Sequence, residues 1–145
     1  AGAGWEEGGD TWYQEGSLAI GHTSGVIFIV PLGFLARAEG ADPEEVQRRV
    51  VEQSVVLDAS DGCCVCSLAW CSPDHRYITS GAIDGKLRVW DVLQPLWPIF
   101  IRSVTRGWIT EMFWFNTMGY GGAVVVCTSD GRIGAWFPRT AYLTW

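Results

Sequence analysis

Several familiar features are missing from this sequence, and each absence narrows the range of functions. No apolar run approaches the roughly 20 residues that a helix needs to cross a bilayer, since Val26 to Ala36 is interrupted by Pro31 and Gly33. A signal peptide is also absent. The lone Asn116 is followed by Thr-Met, which leaves no N-glycosylation sequon. There is no Gly-rich phosphate loop, no paired-carboxylate signature and no metal-binding helix. Cysteine is present five times, an odd number, with Cys63, Cys64, Cys66 and Cys71 crowded into a strand-like stretch. That pattern suits a reducing compartment better than a disulfide framework. The four thiols lack the Cys-x-x-Cys spacing of zinc knuckles. Cys64 and Cys66 alternate onto one face with Leu68 and Trp70 and read as small core hydrophobes. The two histidines, His22 and His75, lie far apart on predicted turns, and neither is near a serine or cysteine nucleophile pattern. The sequence therefore predicts no enzyme, no cofactor and no metal. A start at Ala1 reads as a processed, partial or trimmed chain.

What is present is enough for one domain of ordinary size: 145 residues, 48% apolar, with nine tryptophans for a core. The net charge of −6 is uneven. Residues 1–61 carry eleven acids and three bases, while residues 62–145 carry five acids and seven bases. The acidic half argues against nucleic-acid binding by the whole surface, because such binding rests on Lys and Arg neutralising phosphates.

The chain is organised around Ser67 to Asp91, which reads as three short strands. Small and apolar residues lead to Trp70, and Ser72-Pro73-Asp74 supplies a turn. Tyr77 to Gly81 is the second strand. Asp84-Gly85 is a two-residue hairpin signal, with glycine taking the positive φ of a tight reversal, and beyond it Leu87, Val89 and Asp91 alternate with Arg88 and Trp90.

The set Ser80-Gly81, Asp84-Gly85 and Leu87-Arg88-Val89-Trp90-Asp91 resembles a WD repeat, the unit of WD-repeat β-propellers. In that family the tryptophan, a strand-two Ser/Thr, the turn aspartate and an upstream histidine form a hydrogen-bonded set inside each blade. Trp90, Ser80 and Asp84 match three of these. The Gly-His pair is missing, because Asp61-Gly62-Cys63-Cys64 stands in its place, so a buried Asp84 needs another donor.

The same layout recurs on both sides. Residues 1–16 form a flexible Gly- and Glu-rich leading segment. Ser17 to Val30 is a degenerate copy of strands two and three, with Gly21 on Gly81, Ser24 on Asp84 and Val30 on Trp90. Residues 33–49 interrupt it: Asp42-Pro43-Glu44-Glu45 reads as a helix start with aspartate as cap, proline at the first helical position and glutamate three residues after the cap, and the helix runs to about Val50. Ser54 to Leu57 and Leu96 to Ile101 read as outer strands, the latter of edge type because of Pro98. Ile109 to Phe115 is the next inner strand, Asn116 to Gly122 a loop and Ala123 to Thr128 a strand. Asp130-Gly131 repeats the turn, Trp136 follows Gly131 as Trp90 follows Gly85, and residues 141–145 begin a last outer strand.

The turn glycines Gly25, Gly85 and Gly131 are 60 and 46 residues apart, against a WD period of about 40–45, and the insertion accounts for the longer interval. The expected fold is all-β: a WD-repeat propeller segment of about three blades over 17–145 (about 17–32 with the insertion, 50–91 and 96–137), with a short helix in an inserted loop. Closed propellers have about 4–8 blades, so the remaining blades must come from the same or another chain.

The resemblance implies a non-catalytic scaffold that binds other protein subunits. Ser80, Asp84, Trp90, Thr128, Asp130 and Trp136 would form blade cores. His22, Asp61, Ile83, Arg102, Arg106 and Trp108 would lie on the turn face that partners of this family use. The inserted segment would project from the opposite face. Within the family, residues 17–101 look like the WD-repeat subunit of TFIIIC, the general transcription factor of RNA polymerase III, which implies a nuclear role in promoter recognition. A second expectation is nucleic-acid contact through arginines, with Arg102 and Arg106 of the basic half joined by Arg48 and Arg49. No membrane partner is expected.

Overall fold

The structure, a computed structural model, describes residues 16–37, 39–71, 75–117, 121–137 and 142–144. Residues 1–15 of the leading segment 1–16, the Ser72-Pro73-Asp74 turn, the centre of the 116–122 loop, Ala141 and Trp145 lie outside the described residues.

Eleven strands and two helices are described, and all the strands belong to antiparallel sheets. The first sheet is β1 (Ser17–Gly21), β2 (Val26–Pro31) and β3 (Val55–Asp58), with α1 (Leu32–Arg37) and α2 (Pro43–Gln53) inserted between β2 and β3. The second is β4 (Val65–Trp70), β5 (Tyr77–Ala82), β6 (Lys86–Asp91) and β7 (Phe100–Ser103). The third is β8 (Ile109–Thr117), β9 (Gly121–Thr128), β10 (Ile133–Phe137) and β11 (Tyr142–Thr144).

The three central hairpins share one register. Leu18 faces Val30, Ile78 faces Trp90 and Val124 faces Trp136. The turn glycines Gly25, Gly85 and Gly131 have φ of 87°, 73° and 84°, the left-handed region that a side chain resists. The sequence alignment of Gly25 with Gly85 is thus reproduced pair by pair in the sheets.

The sheets stack through two apolar layers. Ile27, Ile29, Leu57 and Ala59 of the first sheet and the segment after it meet Ile78, Trp90 and Val92 of the second. Leu87, Val89 and Val104 meet Ile109, Met112, Val124, Val126 and Trp136 of the third, with Phe100 stacked on Trp136 at 4.9 Å. Each tryptophan therefore turns toward the preceding sheet. Contacts of β1 with β4, and of β4 and β5 with β8, bring the inner strand of each following sheet against the sheet before it. This is the propeller-segment architecture expected from the repeat, with three consecutive blades.

Four local expectations need correction. A second, unexpected helix, α1, precedes α2. Asp42 occupies the cap position of α2 but makes no side-chain cap hydrogen bond; Glu45 turns to Arg49 at 2.7 Å instead. A bulge between Val65 and Ser67 shifts β4 against β5 and leaves Cys66 exposed, so the thiols at 64 and 66 do not both join the core. The outer strand of the second blade begins at Phe100, and Leu96 and Trp97 sit in an exposed turn before it. Elsewhere β8 and β9 run further than expected and shorten the loop between them.

Candidate functional site

The turns between β1 and β2, β5 and β6, and β9 and β10, together with the loops entering β4 and β8, form one end of the stack. Glycine permits this closeness. A Cβ on Gly25 would lie 2.8 Å from the Cys63 carbonyl oxygen, and one on Gly85 would lie 2.2 Å from that of Thr105. Backbone hydrogen bonds tie loop to turn: Val65 donates to His22, Ile83 to Cys64, Val104 to Gly85 and Ser129 to Trp108. The face is therefore a rigid assembly of loops clamped between blades.

At its centre lies Arg88, which the sequence reading passed over. Its guanidinium is buried, with 5% exposure. It donates to Asp84 at 2.8 Å and also pairs with Asp61 from the loop entering β4. It thus provides the donor that Asp84 needs in place of the absent histidine. Burial alone would raise the Asp84 pKa, but the Arg88 hydrogen bond, the Lys86 N–H at 3.0 Å and the Arg88 charge outweigh it and hold the carboxyl below its ordinary range. Burial and the neighbouring carboxylates Asp84 and Asp61 raise the Cys63 thiol, which favours its protonated form. Asp61, Cys63 and Asp84 are close enough to hold a metal ion, but Arg88 already supplies a cation to both carboxylates.

Below this cluster the Trp90 indole donates to Ser80 Oγ at 3.0 Å. In the third blade the residue at the position of Ser80 is Val126, and Trp136 Nε1 is buried without a partner among the described residues. Leaving that donor unmet costs about 1–3 kcal/mol. Two expected core residues differ in role. Thr128 is buried, but its hydroxyl bonds Asp130 and the Arg132 backbone rather than an indole. Asp130 is exposed, because no further loop packs over its turn among the described residues.

Of the expected partner-facing residues, Ile83 and Trp108 are 53% and 49% exposed. His22 is exposed and accepts from the Ser24 N–H at 3.1 Å. Arg106 is exposed, whereas Arg102 is half-buried in β7 opposite Leu87. Asp61 is committed to Arg88 and to the Cys63 N–H. Arg48 and Arg49 pair with Glu45 and Glu52 along α2, and with Glu44 the helix carries three acids against two bases, which leaves no surplus of cation for phosphate. The helices leave β2 at the end opposite its turn with β1. His75 lies at that opposite end too, lining a cavity of about 250 Å³ with Gly16, Ser17, Leu32 and Trp70, so the two histidines are not brought together.

No family model matches the chain. A curated relative, telomerase protein component 1 of Rattus norvegicus, is 33% identical over 79 residues, covering 52% of this chain and 3% of the relative. Among solved structures, a chain in the crystal structure of the mitotic checkpoint complex superposes with a TM-score of 0.64 at 14% identity, over 89% of this chain and 34% of that one. The computationally designed Ika4 protein superposes with a TM-score of 0.55 at 18% identity, over 83% of this chain and 59% of that one. This chain thus spans a small part of the curated relative and about a third of the natural structure. At these identities the structures carry the fold, a WD-like β-propeller segment. The TFIIIC likeness has no counterpart among these relatives.

Proposed function

We propose that this chain is a non-catalytic propeller segment that binds other proteins within a multi-subunit assembly, and that its turn face makes the contact. The observation that carries this reading is the pair Ile83 and Trp108: two large apolar side chains, about half exposed, held on loops that the Gly85 close approach and loop-to-turn backbone hydrogen bonds make rigid. Side chains preorganised in this way lose little entropy on docking, and tryptophan is among the types that dominate interface energetics. The likeness to a chain from a complex supports the scaffold reading. Further blades, from the same or another chain, complete the ring. An intracellular, reducing setting, nuclear rather than cytoplasmic, belongs to the same reading; five thiols free of disulfides support its reducing part. The specific assembly, TFIIIC among the candidates, is identified by the subunits that co-purify.

The test is quantitative co-purification of the tagged chain from native extract, beside an Ile83→Asp/Trp108→Asp variant. Loss of about 2 kcal/mol or more at a hot spot predicts roughly thirtyfold weaker recovery of the same proteins. Unchanged recovery overturns the turn-face reading. Binding to DNA that falls steeply with salt would favour nucleic acid instead.

A further inference from the structure

The outer edge of the second blade carries an apolar row that nothing among the described residues covers. β7 ends the order β4-β5-β6-β7, and among the described residues no strand pairs with its outer edge. Along the segment that enters it, burial alternates. Pro98 is buried and Phe100 stacks on Trp136, while Trp97, Ile99 and Ile101 are 57%, 54% and 41% exposed. Native sheets usually blunt such an edge with charge or proline. Here the proline precedes the strand, and the row beyond it is apolar. The outer strand of the first blade differs: it ends in Asp58 and exposes one large apolar side chain, Val56.

Charge marks one end of the row. Residues 92–109 contain two arginines and no carboxylate in a chain of net charge −6. At the Ser103 end stand Lys86, opposite Ser103 in the ladder, and Arg106; both are exposed and have no ion pair among the described residues.

We propose that β7 accepts an extended segment of a protein partner as a fifth, antiparallel strand, apolar at alternate positions and acidic at its N-terminal end. Antiparallel addition continues the pairing found throughout the described sheets. It places the partner's N-terminus beside Ser103 and the two cations. Main-chain hydrogen bonds supply affinity, and the row Ile99–Ile101 reads alternate side chains. This edge adjoins the turn face at Lys86 and Arg106 but uses neither Ile83 nor Trp108, and it stands whether or not that apolar pair binds.

The probe is a fluorescein-labelled peptide, Asp-Glu-Val-Thr-Val-Thr-Val-Thr, compared by anisotropy with the same tail headed by Lys-Lys, using the whole 145-residue chain. The acid-headed peptide is expected to bind saturably and roughly tenfold tighter than the lysine-headed one. N-methylation of its alternate amides should abolish binding. Ile99→Thr/Ile101→Thr, which keeps strand propensity, should weaken it about tenfold, and Lys86→Glu/Arg106→Glu should reverse the preference. The surface charge swap carries the test if the threonine variant fails to fold. Absence of saturable binding, equal binding of both heads, or indifference to N-methylation overturns the proposal.

Discussion

Arg88 shows how one residue can complete a hydrogen-bonded set in place of an absent one. The WD-repeat pattern that the sequence resembles has a histidine in the loop before the inner strand, and this chain has Asp61 there instead. An arginine on the third strand then satisfies the turn aspartate and draws the loop aspartate in with it. Replacing Arg88 by Met should cost about 3 kcal/mol at pH 7, the low end for breaking a buried pair, because Asp61 and Asp84 keep 32% and 19% exposure. The pH dependence has a definite sign. Asp84 titrates below its ordinary value in the folded chain, so its contribution is complete above the unfolded carboxylate pKa of about 4 and is lost as pH falls through the folded value. Urea denaturation should therefore show the gap between wild type and Arg88→Met at its full size at pH 7 and narrowed below about pH 4. A gap that is independent of pH would rule out the ion pair as the cause.

Between elements, blade packing depends on a single repeated position. A Cβ on Gly21 would lie 2.7 Å from Val65 Cγ1, and one on Gly81 would lie 2.6 Å from Ile109 Cγ2. In both cases the second strand of one blade touches the inner strand of the next. The equivalent residue of the third blade is Cys127, half-buried with no following inner strand among the described residues. Gly81→Ala should destabilise by about 1–3 kcal/mol, whereas Cys127→Ala should stay within about 1 kcal/mol. Ile109→Ala should cost less in the Gly81→Ala background than alone, because the two residues compete for the same space. Thermal or urea melts of the four variants check this, and equal costs at positions 81 and 127 would refute the packing account.

For the molecule as a whole, the ends of the stack govern behaviour. The outward face of the third blade exposes Phe113 and Ile133 at 52% and 66%, and the first blade exposes Leu18 and Ile20 on β1, its edge strand among the described residues. Open faces of this kind need another blade or they aggregate. The isolated chain should self-associate with rising concentration in light scattering, and Phe113→Thr/Ile133→Thr should raise the onset severalfold. A monodisperse monomer with a cooperative melt would contradict the view of this stack as part of a larger ring.

The sequence by itself determined the three hairpins, their common register and the two core tryptophans. These depend on interactions close along the chain: a glycine that alone accepts positive φ, and a period of two on either side of it. Only the tertiary structure decided what the neighbours would be. The Arg88–Asp61 pair joins residues 27 positions apart, the bulge that turns Cys66 outward comes from pairing with β5, and the start of β7 is set by its ladder with β6 rather than by the apolar run before it. Local propensity leaves such choices nearly balanced, and packing between blades tips them because burying apolar area and pairing buried charges outweigh the small energies of local preference.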